Sequence, residues 1–76
     1  MLSEKHINEV CNILNVDKET ALRTCVEIPE FDAYYFCAPI RGGLQIIINN
    51  KGEKLVGTSI LSYKEILSAF IAGKRN

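Results

Sequence analysis

The sequence RGGLQIIINNKGEKLVGTS, residues 41–59, decides the fold. It contains two short runs rich in β-branched residues, Leu44 to Asn49 and Lys54 to about Ile60, separated by Asn50-Lys51-Gly52. A three-residue loop with glycine in the left-handed position is a common connection between hairpin strands. The stretch therefore predicts two antiparallel strands that fold back on each other around Gly52.

Two helices are predicted ahead of this hairpin. Ser3 is a candidate N-cap for a helix from Glu4 to Leu14, in which apolar residues recur at intervals of three and four. Asn15 suits a left-handed helix end. Asp17 is a candidate N-cap for a second helix from about Lys18 to Glu27.

A further strand and a final helix complete the predicted order. Pro29 ends the second helix, because the residue before a proline avoids the helical region. The aromatic-rich run Ala33 to Cys37 is typical of a strand. Ser62 and Glu65 form a capping-box pattern ahead of a strong apolar stripe, and Gly73 stands where a C′ glycine is expected.

The predicted fold class is therefore α+β, in the order α-α-β-β-β-α, with a three-stranded antiparallel sheet and the helices packed on one face. We expect residues 1–76 to form a single small globular domain. The hairpin register predicts that one sheet face lies under the helices and carries Leu44, Ile46, Ile48, Val56 and Ile60.

The opposite face of this predicted sheet is incompletely polar. It carries Ile47 and Leu55, together with either Tyr35 or the pair Tyr34 and Phe36. We select Tyr35, Ile47 and Leu55 as a candidate protein interface, through which the chain binds another protein or forms a homodimer. Two alternatives stay open: scattered surface apolar residues, or a one-residue register slip that exchanges the faces.

Composition favours association and argues against polyanion binding. Nine Lys and Arg residues balance nine Asp and Glu residues, so the formal net charge is zero. A dedicated nucleic-acid binder usually carries a basic excess, whereas an uncharged domain lacks the self-repulsion that opposes association. No apolar run approaches the ~20 residues of a membrane span, and the first residues do not resemble a signal peptide. We expect a cytoplasmic protein that does not engage a membrane.

Residues 6–28, HINEVCNILNVDKETALRTCVEI, resemble the helix-turn-helix of DNA-binding regulators. The run Leu14-Asn15-Val16-Asp17 stands where the motif has Leu-Gly-Val-Ser, and Thr20-Ala21-Leu22-Arg23 opens the helix that corresponds to the recognition helix. The resemblance implies that the chain binds nucleic acid through four residues that face the major groove: Lys18, Thr20, Arg23 and Thr24. Glu19 and Glu27 leave this helix nearly neutral.

Residues that could carry a metal or a reaction do not form a known pattern. The candidate zinc ligands would be His6, Cys11, Cys25 and Cys37. None of their spacings is that of a ligand pair, and a cysteine on an apolar stripe usually acts as a small hydrophobe. We expect no metal, no cofactor and no catalytic residue.

Two further clusters carry weaker signals. Arg41-Gly42-Gly43 could bind a phosphate or a carboxylate, but no helix follows the glycines, so a strand-entry loop with an exposed cation is the favoured interpretation. The acidic residues around Pro29 have no predicted partner or cavity. Because so short a chain rarely encloses a ligand pocket, we expect that it is not an enzyme.

The sequence thus predicts a small intracellular interaction or regulatory domain of unknown pathway. The alternative is a DNA-binding regulator that uses the N-terminal helix pair.

Overall fold

The structure, a computed structural model, describes residues 2–38, 43–58 and 60–75. Within these residues the helices are α1 (Glu4–Leu14), α2 (Lys18–Thr24) and α3 (Tyr63–Ile71), and the strands are β1 (Val26–Ile28), β2 (Ala33–Cys37), β3 (Leu44–Asn49) and β4 (Lys54–Thr58). The strands form one antiparallel sheet in the order β1-β2-β3-β4. The predicted α+β class and the order of helices and strands are confirmed, but the sheet has four strands and not three.

The additional strand, β1, replaces the predicted C-terminal part of the second helix. Helix α2 ends at Thr24, and Cys25 already has an extended backbone with ψ of 130°. Val26 and Ile28 then pair with Tyr35 and Ala33 of β2. The alternating sequence Val-Glu-Ile suits a strand, and pairing with β2 outweighs the weak helix preference of these residues.

The predicted turns and caps are present. Asn15 and Gly52 both have left-handed backbones, with φ of 56° and 88°. The Ser62 side chain accepts a hydrogen bond from the Glu65 amide, and the Glu65 carboxylate accepts one from the Ser62 amide. Gly73, with φ of 96°, completes the C-terminal cap of α3.

The predicted hairpin register is confirmed. Ile46 pairs with Val56 and Ile47 pairs with Leu55. Strand β2 continues this pattern, because Tyr35 lies opposite Ile47. Tyr35, Ile47 and Leu55 therefore share one face of the sheet, as the sequence predicted.

Helices cover both faces of this sheet. Helices α1 and α2 pack on the face that carries Ile46 and Ile48, forming a first core with Leu2, Ile7, Val10, Leu14, Ala21 and Phe36. Helix α3 packs on the opposite face, where a second core contains Ile28, Ala33, Ile47, Ile66 and Phe70. The prediction that the helices lie on one face is therefore wrong. The apolar residues of α3 pack against the sheet face opposite to the one that α1 and α2 cover. Ile47 lies in the core that forms there.

Two apolar residues that were predicted to be covered lie at the surface. Strand β4 ends at Thr58, so Ile60 lies beyond it, in the connection to α3, and is 90% exposed. Leu44, the first residue of β3, is also exposed. Among the described residues, none of the helices has the length and apolar character that a membrane span requires.

Candidate functional site

The three residues predicted to form a protein interface belong to the second core. Tyr35, Ile47 and Leu55 are neighbours across three strands, but α3 lies over them. Ile47 has no exposed surface, and Tyr35 and Leu55 are partly buried. The assignment of this face as an open interface is therefore corrected. Whether the chain associates with itself or with another protein stays a prediction.

A hydrogen-bond network closes one end of the second core. The Tyr35 hydroxyl donates to Gln45 Oε1 at 2.6 Å, and Gln45 Nε2 donates to the carbonyls of Thr58 and Leu61, each at 2.8 Å. The Tyr63 ring meets the Tyr35 ring edge to face, with the centroids 4.8 Å apart. Burial raises the pKa of Tyr35 above its ordinary value of 10.0, so the phenol remains a donor at neutral pH. This network ties Thr58, at the end of β4, and Leu61, just before α3, to the side chain of Gln45.

An apolar groove of about 660 Å³ runs between β4 and α3. We call it the β4–α3 groove. Its apolar walls include Leu55, Leu61, Ile66, Ala69 and Ala72. At Gly57 a Cβ atom would lie 3.2 Å from the terminal methyls of both Leu61 and Ile66, so the glycine allows these side chains to approach the strand closely. Leu61 and Ile66 therefore pack directly against the backbone of β4 at Gly57.

The charge at the rim of this groove is positive. Lys64, Glu65 and Lys74 line it, so two cationic side chains outnumber one acidic side chain. The Glu65 carboxylate is directed to the Ser62 amide of the capping box of α3. The ion pairs among the described residues involve other groups, so both lysines lack an acidic partner there. The arrangement suits an apolar ligand that carries a carboxylate.

Exposed apolar side chains extend this surface. Leu61 in the groove wall is 38% exposed, and Ile60 precedes it in the same loop. Because 90% of the Ile60 surface is in water, its burial by a partner would favour binding. Ile60 was predicted to belong to β4, and for that reason the β4–α3 groove was not predicted. The adjacent pair Ile60-Leu61 before the N-cap Ser62 was the available signal.

The residues of the DNA-binding hypothesis lie on α2 and are largely occupied by intramolecular contacts. Lys18 pairs with Glu4 at 3.3 Å, and Arg23 pairs with Glu19 at 3.0 Å. The Thr24 hydroxyl donates to a backbone carbonyl within α2. The Thr20 amide donates to the N-cap Asp17 at 2.7 Å. Hydrogen bonds from the Thr20 side chain and from this amide lower the pKa of the Asp17 carboxyl. Both cations of α2 are therefore paired with acidic side chains.

The candidate metal ligands do not converge. Among the described residues no group of three or more histidine, cysteine or acidic side chains is placed to hold a metal. Cys11, Cys25 and Cys37 are free and partly buried. Arg41 and Gly42, which the sequence suggested as a candidate anion-binding loop, lie outside the described residues.

No known protein family, curated protein or solved structure matches this chain significantly.

Proposed function

We propose that this chain is a small protein-interaction domain that binds an apolar, acidic segment of another protein in the β4–α3 groove. The observation that carries the proposal is the combination of apolar walls with two lysines, Lys64 and Lys74, that have no acidic partner among the described residues. The groove replaces the buried sheet face as the surface through which the chain recognises a partner.

The size and lining of the groove support an apolar anchor. Its volume of about 660 Å³ is within the usual range of roughly 300–1,000 Å³ for ligand sites. Buried apolar surface contributes about 25 cal/mol per Å², so two or three aliphatic side chains seated against Leu61 and Ala72 would supply most of the affinity.

The lysines support an acidic partner. An ammonium at the rim of an apolar groove attracts a carboxylate on the ligand and repels a cation. Such rim charges act mainly on association rate and specificity, and salt screens them. Binding should therefore weaken as ionic strength rises.

Two other occupants are separate outcomes of the same experiment. A second copy of the chain would make the protein a homodimer through this groove. Nucleic acid remains the alternative function, although the ion pairs of Lys18 and Arg23 count against it.

The experiment is a selection of displayed random peptides on the immobilised chain, followed by affinity measurements on the enriched sequences. We expect enriched peptides to combine aliphatic or aromatic residues with Asp or Glu. Lys64→Glu and Lys74→Glu should each weaken the binding of such a peptide roughly tenfold, which is about 1.4 kcal/mol. Lys5→Glu, which reverses an exposed cation on α1, is the matched control and should leave affinity unchanged.

Several results would contradict the proposal. These are enrichment of basic peptides, no enrichment at all, or equal loss of affinity in Lys64→Glu and Lys5→Glu. Sedimentation of the free chain tests the homodimer, and dimerisation that Lys64→Glu abolishes would make the second copy the occupant. A duplex DNA titration at low salt tests the alternative function.

A further inference from the structure

A second cavity lies on the other side of the sheet, away from the β4–α3 groove. It has a volume of about 370 Å³ and opens between α1, α2 and the strands β1 and β2. Its inner wall is made of the buried side chains of Leu2, Ile7 and Phe36. Leu22 forms part of its mouth and is 48% exposed. An open apolar cavity of this size can hold the hydrocarbon part of a small ligand.

One carboxylate stands at this cavity. Glu27 of β1 lies directly opposite Tyr34 of β2, on the sheet face that α1 and α2 cover. Arg23, a cation of α2, is bound to Glu19. Among the described residues neither the Glu27 carboxylate nor the Tyr34 hydroxyl has a hydrogen-bond or ion-pair partner. The cavity therefore offers an unmatched negative charge beside an aromatic ring.

The remaining polar group in the wall is neutral. Burial, reinforced by the negative charge of Glu27, raises the pKa of the Cys25 thiol. The thiol therefore stays protonated at neutral pH, and Glu27 is the only charged side chain that lines this cavity among the described residues.

We propose that this cavity binds a small organic cation of the alkylammonium class, with the hydrocarbon body against Leu2, Ile7 and Phe36 and the ammonium at Glu27. A carboxylate together with an aromatic face is the combination that stabilises a bound ammonium ion, through ion pairing and a cation–π contact with Tyr34. The site does not depend on the groove, so either proposal can fail without the other.

The test uses hexylammonium as the probe and follows the backbone amide resonances of the protein. We expect saturable shifts at Leu22, Cys25 and Tyr34. Hexan-1-ol, which has the same chain without the charge, should bind roughly tenfold more weakly, and hexanoate should not bind. Replacing butylammonium by hexylammonium should improve affinity about fourfold for each added methylene.

Glu27→Gln is the decisive variant. It should reduce the affinity for hexylammonium to that of hexan-1-ol and leave the binding of the alcohol unchanged. Because Glu27 is exposed, the variant should retain the fold. Glu30→Gln, which neutralises an exposed acid outside the cavity, is the control and should not alter affinity. Equal affinity for the amine and the alcohol, an unchanged Glu27→Gln variant, shifts at other residues, or no saturable binding would each overturn the proposal.

Discussion

The Tyr35 hydroxyl and the Gln45 side chain are joined by a hydrogen bond of 2.6 Å that spans two neighbouring strands. Gln45 is only 3% exposed, and both protons of its amide are bound by the carbonyls of the loop that leads into α3. A buried amide that lost these partners would destabilise the fold. The pair therefore couples the sheet to the position of α3, and with it to the shape of the β4–α3 groove.

Removing the Tyr35 hydroxyl should weaken this connection. We expect Tyr35→Phe to lower the free energy of unfolding by about 1 kcal/mol, because Gln45 Oε1 loses its donor inside the protein. Tyr63→Phe is the matched control, since the described contact of Tyr63 is through its ring, and it should cost less than about 0.5 kcal/mol. Urea denaturation measures both values. Equal costs would show that the hydroxyl of Tyr35 contributes nothing specific.

The ion pair between α1 and β4 predicts a pH dependence. Lys54 Nζ lies 2.8 Å from Glu9 Oε1, and this hydrogen bond with Lys54 lowers the pKa of Glu9 below its ordinary value of 4.5. A lowered pKa in the folded state stabilises the protein above the unfolded value and loses that effect as the pH falls through the folded value. Wild type should therefore exceed Glu9→Gln in stability at pH 7 by less than about 1 kcal/mol, since the pair is partly solvated.

The difference between wild type and Glu9→Gln should shrink as the pH falls below about 4.5. The control is the same comparison in a Lys54→Met background, where the difference at pH 7 should largely disappear. Denaturation curves at several pH values measure it. A difference that is independent of pH, or that survives in the Lys54→Met background, would contradict the assigned cause.

Gly52 should resist substitution more strongly than Gly73. Both have positive φ, 88° and 96°, so alanine is strained at either position. At Gly52 a Cβ would also lie 2.8 Å from His6 Nε2, whereas nothing lies within 4 Å at Gly73. We expect Gly73→Ala to cost about 1 kcal/mol and Gly52→Ala to cost more. The extra cost should fall in a His6→Ala background. If Gly52→Ala costs no more than Gly73→Ala, His6 does not crowd the turn.

Lysine substitutions distinguish the buried sheet face from the exposed loop. Ile47→Lys would place an unpaired charge in the second core, and we expect it to unfold the chain. Even Ile47→Ala should cost about 2–5 kcal/mol. Ile60→Lys changes a side chain that is 90% exposed and should leave stability within about 0.5 kcal/mol. Circular dichroism and urea denaturation give both results, and a folded, stable Ile47→Lys protein would contradict the second core.

Local sequence signals predicted most of the elements. Capping residues such as Ser62 and the positive-φ positions Asn15 and Gly52 determine helix and turn boundaries, and they were placed correctly. Strand β1 was missed because Val26 and Ile28 also extend the apolar pattern of α2, and the strand gains its stability from pairing with β2. The local sequence of β1 does not show that β2 lies beside it.

The position of α3 could not be read from its own apolar stripe, because that stripe fits either face of a sheet. The available signal was the run Ile46-Ile47-Ile48, since consecutive apolar residues in a strand indicate that both faces are covered. The β4–α3 groove depends on this packing, so the pair Ile60-Leu61 indicates an exposed apolar segment but does not locate the groove. Glu27 lines its cavity as a residue of β1, and because this strand was not predicted, the cavity was not predicted either.

Relaxation of the isoleucine methyl resonances by a soluble paramagnetic agent distinguishes a covered sheet face from an open one. Helix α3 covers Ile47 and leaves Ile60 in water. We therefore expect the Ile47 methyls to be as strongly protected as those of Ile46, and the Ile60 methyls to relax strongly. Strong relaxation at Ile47 would show that this sheet face is open, and it would remove both the second core and the β4–α3 groove.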